Sequence, residues 1–114
     1  MQPPFDREAV LDNIDHDEEL FREMIDIFLD SQPSLWAELD AAVAAGEPPR
    51  VGTVAHSLKG ALLTLMAGPS AELARLLEQK GRSGNLDGAE TLLADLRREL
   101  DRLCDSLQSA LKQS

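Results

Sequence analysis

The stretch VGTVAHSLKGALLTL, residues 51–65, decides how this chain folds. At about 100° per residue, Val51, Val54, Ala55, Leu58, Ala61, Leu62 and Leu65 fall on one apolar stripe, the spacing of an amphipathic helix. His56 then points roughly opposite the centre of that stripe, with Gly52, Gly60, Leu63 and Ala67 on the same outer face. Lys59 follows the histidine by one turn, and Gly60 leaves bare backbone beside the ring. A lone helical histidine is ordinarily a surface residue with no role. Small neighbours, one cation and a locally basic segment set this one apart, as a ring placed for a partner to press against.

Working outward, the rest of the chain reads as helices separated by brief breakers. Asp6 is a good N-cap for a short helix to about Ile14, with Arg7 and Glu8 in its first turn. A long second helix starts at Asp15 to Asp17, where early acids (Asp17, Glu18, Glu19) suit the positive end of the helix dipole. Leu20, Phe21, Met24, Ile25, Phe28, Leu35, Leu39 and Val43 recur along it at helical spacing. Pro33 is expected to kink or divide this helix. Gly46 ends it, and Pro48-Pro49 opens the third helix, the one carrying His56, which is expected to stop near Ala67-Gly68. Pro69 or Ser70 opens a fourth, with Leu73, Leu76 and Leu77 inward, closing around Gly81 to Gly84. Asn85 or Asp87 caps a last helix whose seam is Leu92, Leu96, Leu100, Leu103, Leu107 and Leu111. Cys104, on the edge of that seam, reads as a small buried hydrophobe. Four long amphipathic segments with short connections predict an all-α fold, an antiparallel four-helix bundle with a short additional N-terminal helix.

Composition sets the limits. A chain of 114 residues is enough for a single domain, 1–114, with one modest core. Its 43% apolar content is that of a folded protein. No apolar run approaches the roughly 18 residues of a membrane span, and the start shows no secretory signal. The lone cysteine cannot close an internal disulfide; with these features it leads us to expect a cytoplasmic protein. Net charge is −10, unevenly spread. Residues 1–49 hold 13 acids and 2 bases, whereas residues 50–84 hold 2 acids and 5 bases: Arg50, Lys59, Arg75, Lys80 and Arg82. The overall sign argues against nucleic acid as a partner, and the basic segment around His56 fits an acidic or phosphorylated one.

Several chemistries lack their residues. The two histidines are 40 positions apart with no H-E-x-x-H or paired-cysteine spacing, so no metal site is expected. No glycine-rich loop has nucleotide-binding spacing, so neither a cofactor nor ATP is expected to bind this chain. His16, between Asp15 and Asp17, reads as a solvated histidine. What remains is His56 as a nucleophile: a neutral imidazole nitrogen can attack a phosphoryl group and hold it as a phosphoramidate. Lys59 can neutralise phosphoryl oxygen charge nearby.

The run His56-Ser57-Leu58-Lys59-Gly60 resembles the H-x-L-K-G motif of the histidine-containing phosphotransfer (HPt) domain family, and the likeness extends from Phe5-Asp6 through Asp17-Glu18-Glu19-Leu20 to the last leucine helix. The resemblance implies that His56 is the phosphoacceptor, taking phosphate from a receiver-domain aspartate and passing it to another. It implies that Lys59 steadies the phosphoryl oxygens and that Gly60 permits close docking. Gly52, Leu63 and Ala67 would then belong to the partner-binding face. It implies a phosphocarrier without kinase activity of its own, most simply a monomer. Its partners would be response-regulator receiver domains and a hybrid sensor histidine kinase, with Mg2+ held by the receiver. The chain departs from the family in having Leu62, Leu63 and Met66 where small residues or glycine are frequent. Two rivals are a non-catalytic receiver-binding module and a histidine-kinase dimerisation domain; the second usually places an acid directly after its histidine, where this chain has Ser57.

Overall fold

The helices begin where the sequence supplies an acceptor side chain or a proline. Asp6 accepts from the Ala9 amide at 3.1 Å and Asp17 from the Leu20 amide at 3.0 Å, each satisfying one orphan donor of a first turn. The computed structural model describes residues 2–113, which form α1 (Arg7–Asn13), α2 (Glu18–Ala44), α3 (Pro48–Thr64), α4 (Gly68–Ser83) and α5 (Ala89–Lys112). Pro48 and Pro49 occupy the first turn of α3, where a missing N–H costs nothing. Gly46 and Gly84 end α2 and α4 with φ of +66° and +78°, a backbone that glycine adopts without strain.

Three boundaries differ from expectation. Pro33 does not divide α2, which runs unbroken for 27 residues. Buried side chains lie on both sides of the proline, Ile25 and Phe28 before it and Leu39 and Val43 after, so packing supports helix through it. Gly88, with φ of +81°, caps α5, while Asn85 uses its Oδ1 to accept from the Asp87 amide in the preceding turn. The third concerns α3, which ends at Thr64, earlier than Ala67-Gly68. Met66 takes φ of +52°, and the Ala67 amide reaches back to the Leu62 carbonyl at 3.0 Å.

Helices α2 to α5 form the bundle, with α1 laid across one end. Phe21, Ile25 and Leu39 of α2 meet Val51, Leu58 and Leu62 of α3, Leu77 of α4, and Leu96, Leu100, Leu103 and Leu107 of α5 in one buried core. Each large side chain so buried contributes ~1.5–3 kcal/mol. The α5 seam is shifted slightly from expectation, with Leu93 buried and Leu92 and Leu111 only half-buried. Cys104 is half-buried beside Gln32, and desolvation pushes its thiol pKa up, as for an inert packing cysteine. The N-terminal segment is fastened by the Asp6 amide to the Met66 carbonyl (3.1 Å) and by stacking of Phe5 on Phe21. No helix among the described residues is long and apolar enough to cross a membrane.

The closest approach in the bundle is between α3 and α4, and two glycines permit it. A Cβ on Gly81 would stand 2.3 Å from the backbone nitrogen of Gly52 and 2.7 Å from the Pro48 carbonyl oxygen. Gly81 therefore has no alternative without moving a helix. This contact brings the α4 face against the turn of α3 that bears His56.

Candidate functional site

On α3 the apolar stripe turns inward as its periodicity requires: Val51, Ala55, Leu58, Leu62 and Leu65 are buried, and Ala61 is partly so. The opposite face carries His56, whose side chain is 61% exposed. Gly60 is exposed, with nothing within 4 Å of where a Cβ would stand, and Leu63 is 53% exposed. These three lie where the helical wheel puts them.

Two expected members of that face do not. Ala67 is fully buried, because α3 ends before it and the chain turns back at Met66. A helical wheel continued to Ala67 runs past the end of the helix. Gly52 is buried against Gly81 and the Arg82 backbone, so it serves the helix crossing. It still floors a shallow hollow of about 290 Å³ beside His56, edged by Thr53, Ser57 and Arg82.

The residue that sequence reasoning missed is Glu78 of α4. Its side chain is only 4% exposed, yet it meets three cationic or imidazole groups. Oε2 lies 2.8 Å from His56 Nδ1 and 2.5 Å from an Arg82 guanidinium nitrogen, and Oε1 lies 2.6 Å from Lys59 Nζ. The hydrogen bond from the Lys59 ammonium chiefly holds the Glu78 pKa below its ordinary value; His56 and Arg82 add to this, while burial acts against it. The signal was present. Buried positions on α4 run Ala71, Ala74, Glu78, Gly81, so Glu78 is the one charged side chain on the packed stripe. A carboxylate there must have cations facing it.

This geometry fixes the imidazole. An ionised carboxylate only accepts, so His56 Nδ1 donates its proton to Glu78, and in the neutral ring the lone pair is then on Nε2, the nitrogen not held by the carboxylate. Lys59, 24% exposed, is anchored beside the ring and not swinging free. Of the other cations in the basic segment, Arg82 joins the cluster, while Arg50 pairs with Glu47 and Arg75 with Glu72. His16 sits elsewhere, exposed and 2.9 Å from Asp12; with Glu8 these form the one grouping of metal-ligating types among the described residues, all of them on the surface.

An outward-facing imidazole nitrogen, oriented by a buried carboxylate and flanked by an anchored lysine and bare backbone, is an arrangement for nucleophilic attack on a group that a partner brings. Among solved structures the chain is similar to histidine-containing phosphotransfer protein B (HptB) from Pseudomonas aeruginosa PAO1, with a TM-score of 0.91 at 23% identity, over 100% of this chain and 99% of that one. No curated protein matches it in sequence. The Hpt domain family model matches residues 23–109, a span that includes His56, Lys59, Gly60 and Glu78. The chain therefore belongs to the Hpt domain family, the histidine phosphotransfer modules of phosphorelays.

Proposed function

We propose that His56 accepts a phosphoryl group from the aspartyl phosphate of one receiver domain and passes it to the aspartate of another. The observation that supports this most is the 2.8 Å contact of His56 Nδ1 with Glu78 beneath a 61% exposed ring. The Nε2 lone pair forms the new N–P bond as the P–O bond to the receiver aspartate breaks, and that aspartate leaves as carboxylate. Positive charge grows on the ring as the bond forms, and the ionised Glu78 stabilises it through the Nδ1 proton. Lys59, held on the same Glu78 carboxylate as the ring, neutralises phosphoryl oxygens. The second transfer is the reverse of the first.

Magnesium belongs on the receiver in this scheme. Around His56 the charged groups are two cations and a carboxylate they already occupy, which is not a ligand set for a divalent ion. The whole chain acts as one cytoplasmic, monomeric carrier, without kinase activity, between a hybrid sensor kinase and its response regulators. Its docking face is His56, Gly60 and Leu63, the first two open and the last an exposed apolar anchor.

The test is incubation with a phosphorylated receiver domain followed by an assay for acid-labile phosphate on this chain. Wild type takes label and His56→Gln takes none, with stability within about 0.5 kcal/mol because the ring is exposed. Label on His56→Gln would assign the phosphate elsewhere. Binding of the receiver without label on wild type would make this a non-catalytic module, and self-labelling with ATP alone would make it a kinase domain.

A further inference from the structure

Beyond Gly60, the face that carries His56 continues onto α2. Thr64 is eight residues from His56, two turns and ~12 Å along α3, and its hydroxyl donates to the Gly60 carbonyl at 3.0 Å. Beside it lies a largely apolar groove of about 250 Å³ lined by Met24, Ile27, Phe28 and Ser31 of α2, Ala61 and Thr64 of α3, and Leu65 just past its end. Ile27 is 67% exposed at its lip, the most exposed large hydrophobic residue described, and Leu20 is 39% exposed two turns before it. A monomer gains nothing from an isoleucine held in water.

The other border of the groove is acidic. Glu19, Glu23, Asp26 and Asp30 recur at i, i+4, i+7 and i+11, forming one stripe along α2 next to Ile27. All four are exposed, and none has an ion-pair or hydrogen-bond partner among the described residues. The contrast with α4 is sharp: Glu72 pairs with Arg75, and Glu78 with Lys59, Arg82 and His56. Arg22, the single base of α2, is turned to α5, where it donates to the Leu111 carbonyl at 3.0 Å. Crossing from α4 over α3 to α2, the surface passes from cationic, at Arg82 and Lys59, through apolar, to uncompensated negative.

We propose that α2 is the specificity-determining half of the docking surface. Its partner is a receiver domain that places an apolar side chain in the Ile27 groove and lysine or arginine side chains against Glu23, Asp26 and Asp30. The proposal rests on the phosphotransfer reading, since it is the aspartate pocket that must sit over His56 while the rim meets α2. One interface of ~800 Å² per partner covers both. Charge of opposite sign at the two ends fixes the orientation of the receiver and excludes receivers whose rim is acidic.

The probe is a purified receiver domain that exchanges phosphate with this chain in the assay above, titrated against wild type, the double variant Asp26→Lys/Asp30→Lys, and Ile27→Asp. Circular dichroism checks folding, which surface changes on α2 leave intact. The charge-reversal variant should bind about tenfold more weakly at 50 mM salt, with the gap closing at 500 mM. Ile27→Asp should bind about tenfold more weakly at both. In each variant the rate of His56 labelling at saturating receiver stays that of wild type, because the nucleophile and its supports are untouched. Variants that bind like wild type at low salt overturn the proposal while the phosphotransfer reading stands. Tighter binding by the charge-reversal variant overturns it too, and shows an acidic rim. A wild-type chain that no phosphorylated receiver labels overturns both.

Discussion

His56 stands between two unlike neighbours. On the α4 side, the charged groups around the ring are engaged: the carboxylate of Glu78 is buried and holds an imidazole, an ammonium and a guanidinium, and two glycines bring the helices into backbone contact. On the α2 side, acids stand without partners around a two-thirds exposed isoleucine. The first is an interior arrangement that reaches the surface at one atom. The second is a surface arrangement left incomplete. Chemistry needs the rigid side, because in the other tautomer the lone pair is on Nδ1, against Glu78 and away from any partner. Recognition can use the open side, where side chains can differ between related proteins without disturbing the core.

The largest effect should come from breaking the rigid side at its closest contact. Gly81→Ala puts a methyl group 2.3 Å from the Gly52 nitrogen, with backbone on all sides. We expect a loss of ~3 kcal/mol or more, the range of severe overpacking, and a fall in phosphate acceptance as α4 moves Glu78 from the ring. Gly52→Ala is the control. Its Cβ would meet the Arg82 nitrogen at 3.6 Å, an ordinary contact, and thermal unfolding should shift little. Equal Tm values for the two variants would remove the helix crossing from the account of the site.

Next in size is Glu78. Glu78→Leu leaves His56 without its Nδ1 acceptor and frees both cations, and His56 labelling should slow by about tenfold or more. Glu78→Gln keeps an acceptor oxygen and should lose less. The carboxylate also gives a pH signature. A glutamate whose folded pKa is depressed contributes stability that is fully present above its unfolded value and is lost as pH falls through the folded one. Wild type should therefore lose Tm steadily below the ordinary value of 4.5, and Glu78→Gln should lose less over the same interval. Parallel pH profiles for the two proteins would mean that Glu78 is not held ionised by its partners.

The two sides also differ in how far the sequence disclosed them. The α3 stripe and the outward direction of His56 are periodic facts, and periodicity is local. Leu58 and Leu62 are inside and His56 outside because 3.6 residues make a turn. Glu78 is 22 positions away on another helix, and its meeting with His56 depends on how closely α3 and α4 pack. That in turn depends on Gly81, which in sequence looks like one more helix terminator in the Gly81 to Gly84 run. Ala67 was misplaced for a related reason: a wheel has no end, whereas α3 ends at Thr64. The proline at 33 shows the converse, a local breaker overridden by packing on either side of it.

Gly60 gives the smallest effect and separates folding from docking most cleanly. It lies inside α3, exposed, with open space where a Cβ would stand. Glycine in a helix interior costs ~0.5–1 kcal/mol relative to alanine, so Gly60→Ala should raise stability by about that amount. A helix that keeps glycine at such a position forgoes this stability, and in the docking proposed above the partner is the reason. One turn from His56, a methyl group would hold off a receiver backbone pressing toward Nε2. We expect Gly60→Ala to bind the receiver severalfold more weakly while unfolding at a higher temperature, opposite signs from one substitution. Gly60→Ala with higher Tm and unchanged affinity would mean that the receiver does not reach this turn, and would move the docking surface toward α2 alone.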